Sequence, residues 1–281
     1  MKTCWRTVLI FLIWGLARGL PSAQNPQFKH LSVEHGLTQR TVYCILQDHL
    51  GFLWIGTQDG LNRYDGYGVT VFKNEVADSG SISDNRIRSL FLDRQYNLWI
   101  GTSNGLNRFD FETQSCKRYL PNPDDPNSLS DVEVRAVSQD REGNLWVGTA
   151  NGGLNKLNLA TATFTHYRNS PDDPKSLSHN TVLAIQETPD NQVWIGTLGG
   201  GLDKFDPATE SFSHYRHDPN NPQSLSSNFI MALHLDSLGV LWIGTYGGGL
   251  NRLDPHSERF AHYRHDPNLP ASIGSDRILE L

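Results

Sequence analysis

From about residue 40 the chain alternates short apolar runs with polar breaks rich in Gly, Asp and Asn. One phrase recurs five times. It is plainest at Leu241-Trp242-Ile243-Gly244-Thr245, followed after a Gly-rich break by Gly249-Leu250-Asn251-Arg252-Leu253-Asp254. Its tryptophans are Trp54, Trp99, Trp146, Trp194 and Trp242, spaced by 45, 47, 48 and 48 residues. The matching Gly-Leu pairs begin at Gly60, Gly105, Gly153, Gly201 and Gly249. Self-similarity at this period means one supersecondary unit copied along the chain, so no single residue can be interpreted before the repeat is.

Each copy predicts four short strands. The first is Val42–Gln47, Ile87–Leu92, Val134–Gln139, Val182–Glu187 and Ile230–Leu235. Its first and fourth positions are Val, Ile or Leu, so both faces are expected to be buried. Its third position is always small (Cys44, Ser89, Ala136, Ala184, Ala232), which predicts crowding near an axis. A turn such as Asp140-Arg141-Glu142-Gly143 follows, with Gly where a left-handed residue is required. The fourth copy has Asn191 at that Gly position and the second has Tyr96, an unexpected residue there. The Trp phrase is the second strand and Gly-Leu-Asn-Arg the third. Phe164–Tyr167, Phe212–Tyr215 and Phe260–Tyr263 mark the fourth. No helical period competes with this pattern. Four strands per copy, stacked on both faces, predict an all-β fold: a β-propeller of four-stranded antiparallel blades. The blades fall at about 38–76, 83–121, 130–170, 178–218 and 226–266.

The ends break the pattern. Phe28-Lys29-His30-Leu31 matches the fourth-strand phrase with no strands before it, and Ser272 to Ile278 matches the lead-in to a first strand. The expectation is five complete blades plus orphan terminal strands in an incomplete, open propeller, with a strained ring as the other arrangement. Residues 272–281 would start a further blade of a longer chain. Lys2 and Arg6 precede an apolar run from Val8 to Ala17, which reads as a signal peptide over residues 1–23 with the propeller region at 24–281. An uncleaved anchor is the other reading. Export across a membrane follows.

Composition then removes several function classes. The net charge is −6 with no Lys/Arg run, so no nucleic-acid partner is expected. The three cysteines, Cys4, Cys44 and Cys116, form no Cys-x-x-Cys, so neither a metal site nor a cofactor is expected, and Cys44 and Cys116 should be free thiols. His166, His214 and His262 share one position on diverging outer strands and are read as surface residues rather than ligands. The five tryptophans are read as structural, filling the space between blades. The pairs Asn62-Arg63, Asn107-Arg108, Asn155-Lys156, Asp203-Lys204 and Asn251-Arg252 are read as structural too, their long stems lying over apolar neighbours. A reaction centre should break the repeat. Glu133, Glu142 and Glu187 are singletons without an evident partner, and no Gly-x-Ser-x-Gly elbow occurs. No catalytic residue is therefore assigned. Inside the otherwise fixed phrase the turn after its Thr differs between copies, which makes Asp59, Asn104, Asn151 and Tyr246 the candidate ligand-binding residues.

The phrase Leu-Trp-Ile-Gly-Thr-x-x-Gly-Gly-Leu-Asn-Arg, with Asp-x-x-Gly before it, resembles the two-component regulator propeller repeat. The opening Phe28 to Leu37 is similar to the start of such sensors, and the resemblance spans about residues 28–281. It implies a periplasmic sensor region that takes an oligosaccharide or other small ligand. It also implies a downstream kinase or cyclase module in a longer chain, and a dimer of the full-length protein. No output module is visible in this sequence. A secreted scaffold or carbohydrate-binding propeller is the alternative, and a propeller lyase or hydrolase a third reading.

Overall fold

The computed structural model describes residues 30–254 and 257–281. The expected signal segment, residues 1–23, and Phe28-Lys29 lie outside the described residues, and His30 and Leu31 belong to no strand. Ser32–Leu281 forms one compact unit, which holds every strand described below.

Five sheets of four antiparallel strands follow one another, each in simple sequential order. Blade 1 is β1 (Val42–Gln47), β2 (Leu53–Thr57), β3 (Gly60–Tyr64) and β4 (Val69–Phe72). Blade 2 is β5 (Ile87–Leu92), β6 (Leu98–Thr102), β7 (Gly105–Asp110) and β8 (Ser115–Tyr119). Blade 3 is β9 (Val134–Gln139), β10 (Leu145–Thr149), β11 (Leu154–Asn158) and β12 (Thr163–Tyr167). Blade 4 is β13 (Val182–Glu187), β14 (Val193–Thr197), β15 (Leu202–Asp206) and β16 (Ser211–Tyr215). Blade 5 is β17 (Ile230–Leu235), β18 (Leu241–Thr245), β19 (Leu250–Asp254) and β20 (Arg259–Tyr263). The first strands sit side by side in the order β1, β5, β9, β13, β17, around one axis. No comparable packing joins β17 to β1, so the arc is open there. Next to blade 5, Arg277 forms a bridge with Tyr246, and Ile278 N–H donates to the Thr245 carbonyl at 3.0 Å.

The phrase earns its repetition through packing. Every Trp of the repeated phrase stands opposite a cation on the third strand: Trp54 and Arg63, Trp99 and Arg108, Trp146 and Lys156, Trp194 and Lys204, Trp242 and Arg252. Each of the first four Trp packs into the apolar cluster of the following blade; Trp54, for instance, meets Leu98, Ile100 and Phe109. Trp54, Trp99 and Trp146 are at most 1% exposed, and burying an indole of that size is worth about 3–5 kcal/mol against truncation.

The Gly of Trp-x-Gly-Thr has a steric cause. A Cβ on Gly148 would lie 2.5 Å from Val182 Cγ1 and 3.2 Å from the Val182 carbonyl; one on Gly101 would meet Ser89 Oγ and Val134 Cγ1. The leading aliphatic residue of the next blade therefore presses on a bare backbone. The small third residue of the first strand pairs across the ladder with that same Gly, as Cys44 does with Gly56 and Ala136 with Gly148. Its size answers to this contact as well as to the axis.

The Asn of Gly-Leu-Asn is fully buried in the four blades that carry it. Its Oδ1 accepts the backbone N–H of a residue 24 or 25 positions earlier: Thr38, Ser83, Ser130 and Ser226 donate to Asn62, Asn107, Asn155 and Asn251 at 2.9–3.0 Å. This amide clamps the lead-in loop onto its own blade. The cation beside it lies over aromatic rings, with Arg63 Cζ 5.7 Å and Lys156 Nζ 5.3 Å from the Trp54 and Trp146 centroids.

Candidate functional site

Each first strand begins at the face that carries the turns between second and third strands. The four candidate residues lie there, each in a different blade and each engaged. Asp59 pairs with Lys73 at 2.8 Å. Asn104 Nδ2 donates to the Ser83 carbonyl at 3.4 Å, and Asn151 N–H to Asp131 Oδ2 at 2.7 Å. Tyr246 is 46% exposed with Arg277 stacked 4.8 Å over its ring. None of the four lines the axial cavity, so the structure spreads them around a face rather than gathering them.

The axial cavity, about 530 Å³, is walled mostly by the small and aliphatic residues of the first strands. Tyr43, Arg88, Arg135 and Glu280 break that pattern. Both guanidinium groups reach the same oxygen of Glu133, at 2.9 and 3.0 Å. Arg88 also lies 4.9 Å over the Tyr43 ring and donates through Nε to Ser103 Oγ at 3.3 Å. Arg135 Nε is buried without an acceptor. Two cations therefore share one carboxylate, a local surplus of positive charge with an unused donor. Deeper in the channel, burial pushes the Cys44 thiol up to about 12, with Glu280 adding to the shift. Glu133 is thus not a carboxylate without partners. Sequence reasoning missed the trio because its members belong to neighbouring blades, although Arg88 and Arg135 share one repeat position.

The opposite face carries the turns between first and second strands. In four blades the turn Asp accepts the indole N–H through Oδ2: Asp48 from Trp54 (2.8 Å), Asp93 from Trp99, Asp140 from Trp146 and Asp236 from Trp242 (each 2.9 Å). Blade 4 has Thr188 there, a departure the turn comparison overlooked because it followed the Gly position. Tyr96 and Asn191 take the left-handed conformation (φ 63° each) that Gly takes elsewhere. Glu187, also expected to lack a partner, pairs with Arg94 at 2.8 Å and accepts Arg141 N–H at 2.6 Å, tying blades 2, 3 and 4 together. Glu142 accepts from Asn144 Nδ2 at 3.3 Å.

The three repeat histidines are half-buried rather than surface groups. His166 and His262 reach the Ser128 and Ser224 carbonyls at 2.7 Å through Nε2. His214 Nδ1 lies 2.7 Å from Oδ1 of the buried Asp203, whose hydrogen bond is the main cause of the raised His214 pKa. Among the described residues no group of His, Cys, Asp and Glu is placed to hold a metal ion, and Cys44 and Cys116 are free thiols. Among the same residues no helix is long and apolar enough to cross a membrane.

Sheet order, the shared axis and the interlocked blades define an open β-propeller with a polar mouth. Within that class the chain belongs to the two component regulator propeller family, whose repeat matches five times, at residues 36–59, 81–104, 128–151, 176–199 and 224–247. The extracellular domain of a hybrid two component system of B. thetaiotaomicron is similar over 86% of this chain and 33% of its own, at 32% identity and a TM-score of 0.74. The extracellular domain of a one component system of the same organism, at 22% identity and a TM-score of 0.67, shares the fold. Among curated proteins, Histidine kinase P4 of Formosa agariphila is 46% identical over 63 residues, which is 22% of this chain and 5% of that protein. The chain thus spans about a third of the solved domains it resembles.

Proposed function

We propose that this chain is the sensing part of a two-component signalling protein on the periplasmic or extracellular side of the membrane. It binds an oligosaccharide or similar oxygen-rich ligand and performs no chemistry on it. The observation that carries this reading is the Arg88–Glu133–Arg135 trio. Charged groups at an axis lined mostly by small and aliphatic side chains need a use; the trio carries two cations to one carboxylate, and although Glu280 also lines the cavity, the arginine pair suits a ligand bearing a carboxylate or sulfate. Arg88 comes from blade 2 and Arg135 from blade 3, so a ligand held by both would set the relation between adjacent blades of an open arc. Differential binding of that kind is what shifts a downstream module between states. Asp59, Asn104, Asn151 and Tyr246, on the same face, are proposed as outer contacts for a longer ligand. The Asp203–His214 pair supports a non-catalytic role: its free side meets the Pro174 carbonyl at 3.0 Å, not a nucleophile.

Calorimetric titration with acidic and neutral oligosaccharides tests this. A ligand whose affinity falls at least tenfold in Arg135→Ala and in Arg88→Ala, with no product formed, supports it. Turnover of any of these glycans, or binding unaffected by both substitutions, overturns it.

A further inference from the structure

Thr188 has a consequence on the face opposite the arginine trio. Its hydroxyl is turned back into its own turn, 2.6 Å from Asp190 Oδ1 and 3.2 Å from the Gln192 carbonyl. Among the described residues, nothing accepts the indole N–H of Trp194, the group that a carboxylate takes in the four other blades. Trp194 is 7% exposed, and what remains open lines a cavity of about 360 Å³ between blades 4 and 5. Small-molecule sites span roughly 300–1,000 Å³, so this one is of the right size for one small ring.

We infer that this cavity is a second binding site, for a neutral polyhydroxylated molecule about the size of a single sugar unit. The lining decides the ligand class. Lys204 is its one cation, already paired with Glu258 at 3.2 Å, and Asp190 is a second carboxylate. The balance is one negative charge in excess, which disfavours an anion. A hydroxyl accepts from the Trp194 N–H and donates to Asp190 or Glu258 at once, which neither a carboxylate nor an ammonium ion can do. The indole face is not offered: Lys204 Nζ lies 5.4 Å over the ring and the Tyr215 ring 5.3 Å from it. Recognition is therefore through the N–H edge, against an apolar wall that includes Leu241 and Leu253. The site stands whether or not the signalling reading holds, since it shares no residue with the axial mouth.

The test observes the indole N–H resonances of the ¹⁵N-labelled full chain, with the Trp194 signal assigned from Trp194→Phe. The probes are glucose, galactose, arabinose and myo-inositol, with glucuronate and glucosamine as charged comparisons. At least one neutral probe is expected to shift the Trp194 signal saturably. Thr188→Asp, which restores the acceptor of the other blades, is expected to weaken that binding at least tenfold. Leu238→Trp, at an exposed residue of the rim, should do the same by filling the entrance. The inference is overturned if no neutral probe moves the Trp194 signal, if both variants bind unchanged, or if only a charged probe binds.

Discussion

Replacing Asp93 by Asn isolates what the turn carboxylate contributes. Asp93 is 2% exposed. Its Oδ2 accepts the Trp99 indole N–H at 2.9 Å, its Oδ1 accepts the backbone N–H groups of Gln95 and Asn97 at 2.9 and 2.8 Å, and Asn97 Nδ2 donates to both oxygens at 3.0 and 2.8 Å. The amide of Asp93→Asn would keep one oxygen. Turned toward the backbone, it sets its own NH₂ against the indole N–H; turned toward the indole, it abandons both turn donors. Either way one charge-assisted bond is lost and a buried donor is left without an acceptor. A bond to a charged group is worth about 1.5–3 kcal/mol, and an unsatisfied buried donor costs about 1–3 kcal/mol. The two overlap, so the expected loss is about 2–4 kcal/mol. Urea unfolding followed by tryptophan fluorescence reads this as a lowered midpoint at unchanged slope. Asp236→Asn is the internal control: Asp236 accepts from the same two turn positions and from its indole, without a side-chain amide such as Asn97, and it lies beside the exposed Leu238, where water can replace the bond that is lost. A loss below about 0.5 kcal/mol for Asp93→Asn, the scale of ordinary surface changes, refutes the argument. So would equal losses in the two variants.

The remaining expectations concern packing, titration and reactivity. Gly148→Ala forces a methyl onto Val182 and its carbonyl, and should destabilise by about 1–3 kcal/mol in the same unfolding assay. His214 has a pKa raised above its ordinary 6.5 through Asp203. Its contribution is therefore fully present below the unfolded value and lost as pH rises through the folded one. Denaturation of wild type and Asp203→Asn at pH 5.5 and 8.5 should show the wild-type advantage larger at the lower pH. Burial pushes the Cys116 thiol up to about 12, so iodoacetamide at pH 8 should label it only after denaturation, as peptide mapping would show.

What a single copy of the repeat encodes was legible, and what lies between copies was not. The strands and their stacking follow from where Trp, Gly and Leu recur, because those residues answer to contacts that every blade makes alike. The buried amide clamp was readable in principle. Asn107 and Asn251 each stand 24 or 25 positions after the loop N–H they accept, a spacing that recurs with the period. It was hidden by reading Asn and its neighbouring cation as one structural pair, with attention on the cation's stem. Arg88–Glu133 and Arg94–Glu187 were beyond such reading. Their partners lie one and two blades on, at separations of 45 and 93 residues, where only the arrangement of blades about the axis brings them together. Thr188 shows the complementary case. A departure from the repeat can be seen in the sequence, but its effect depends on a cavity formed with the next blade. In a chain of copied units, the features able to distinguish one ligand from another therefore sit where a copy departs from its siblings or meets a neighbour. Arg88 with Arg135 on one face, and Trp194 without its carboxylate on the other, are two places where that condition holds together with open space.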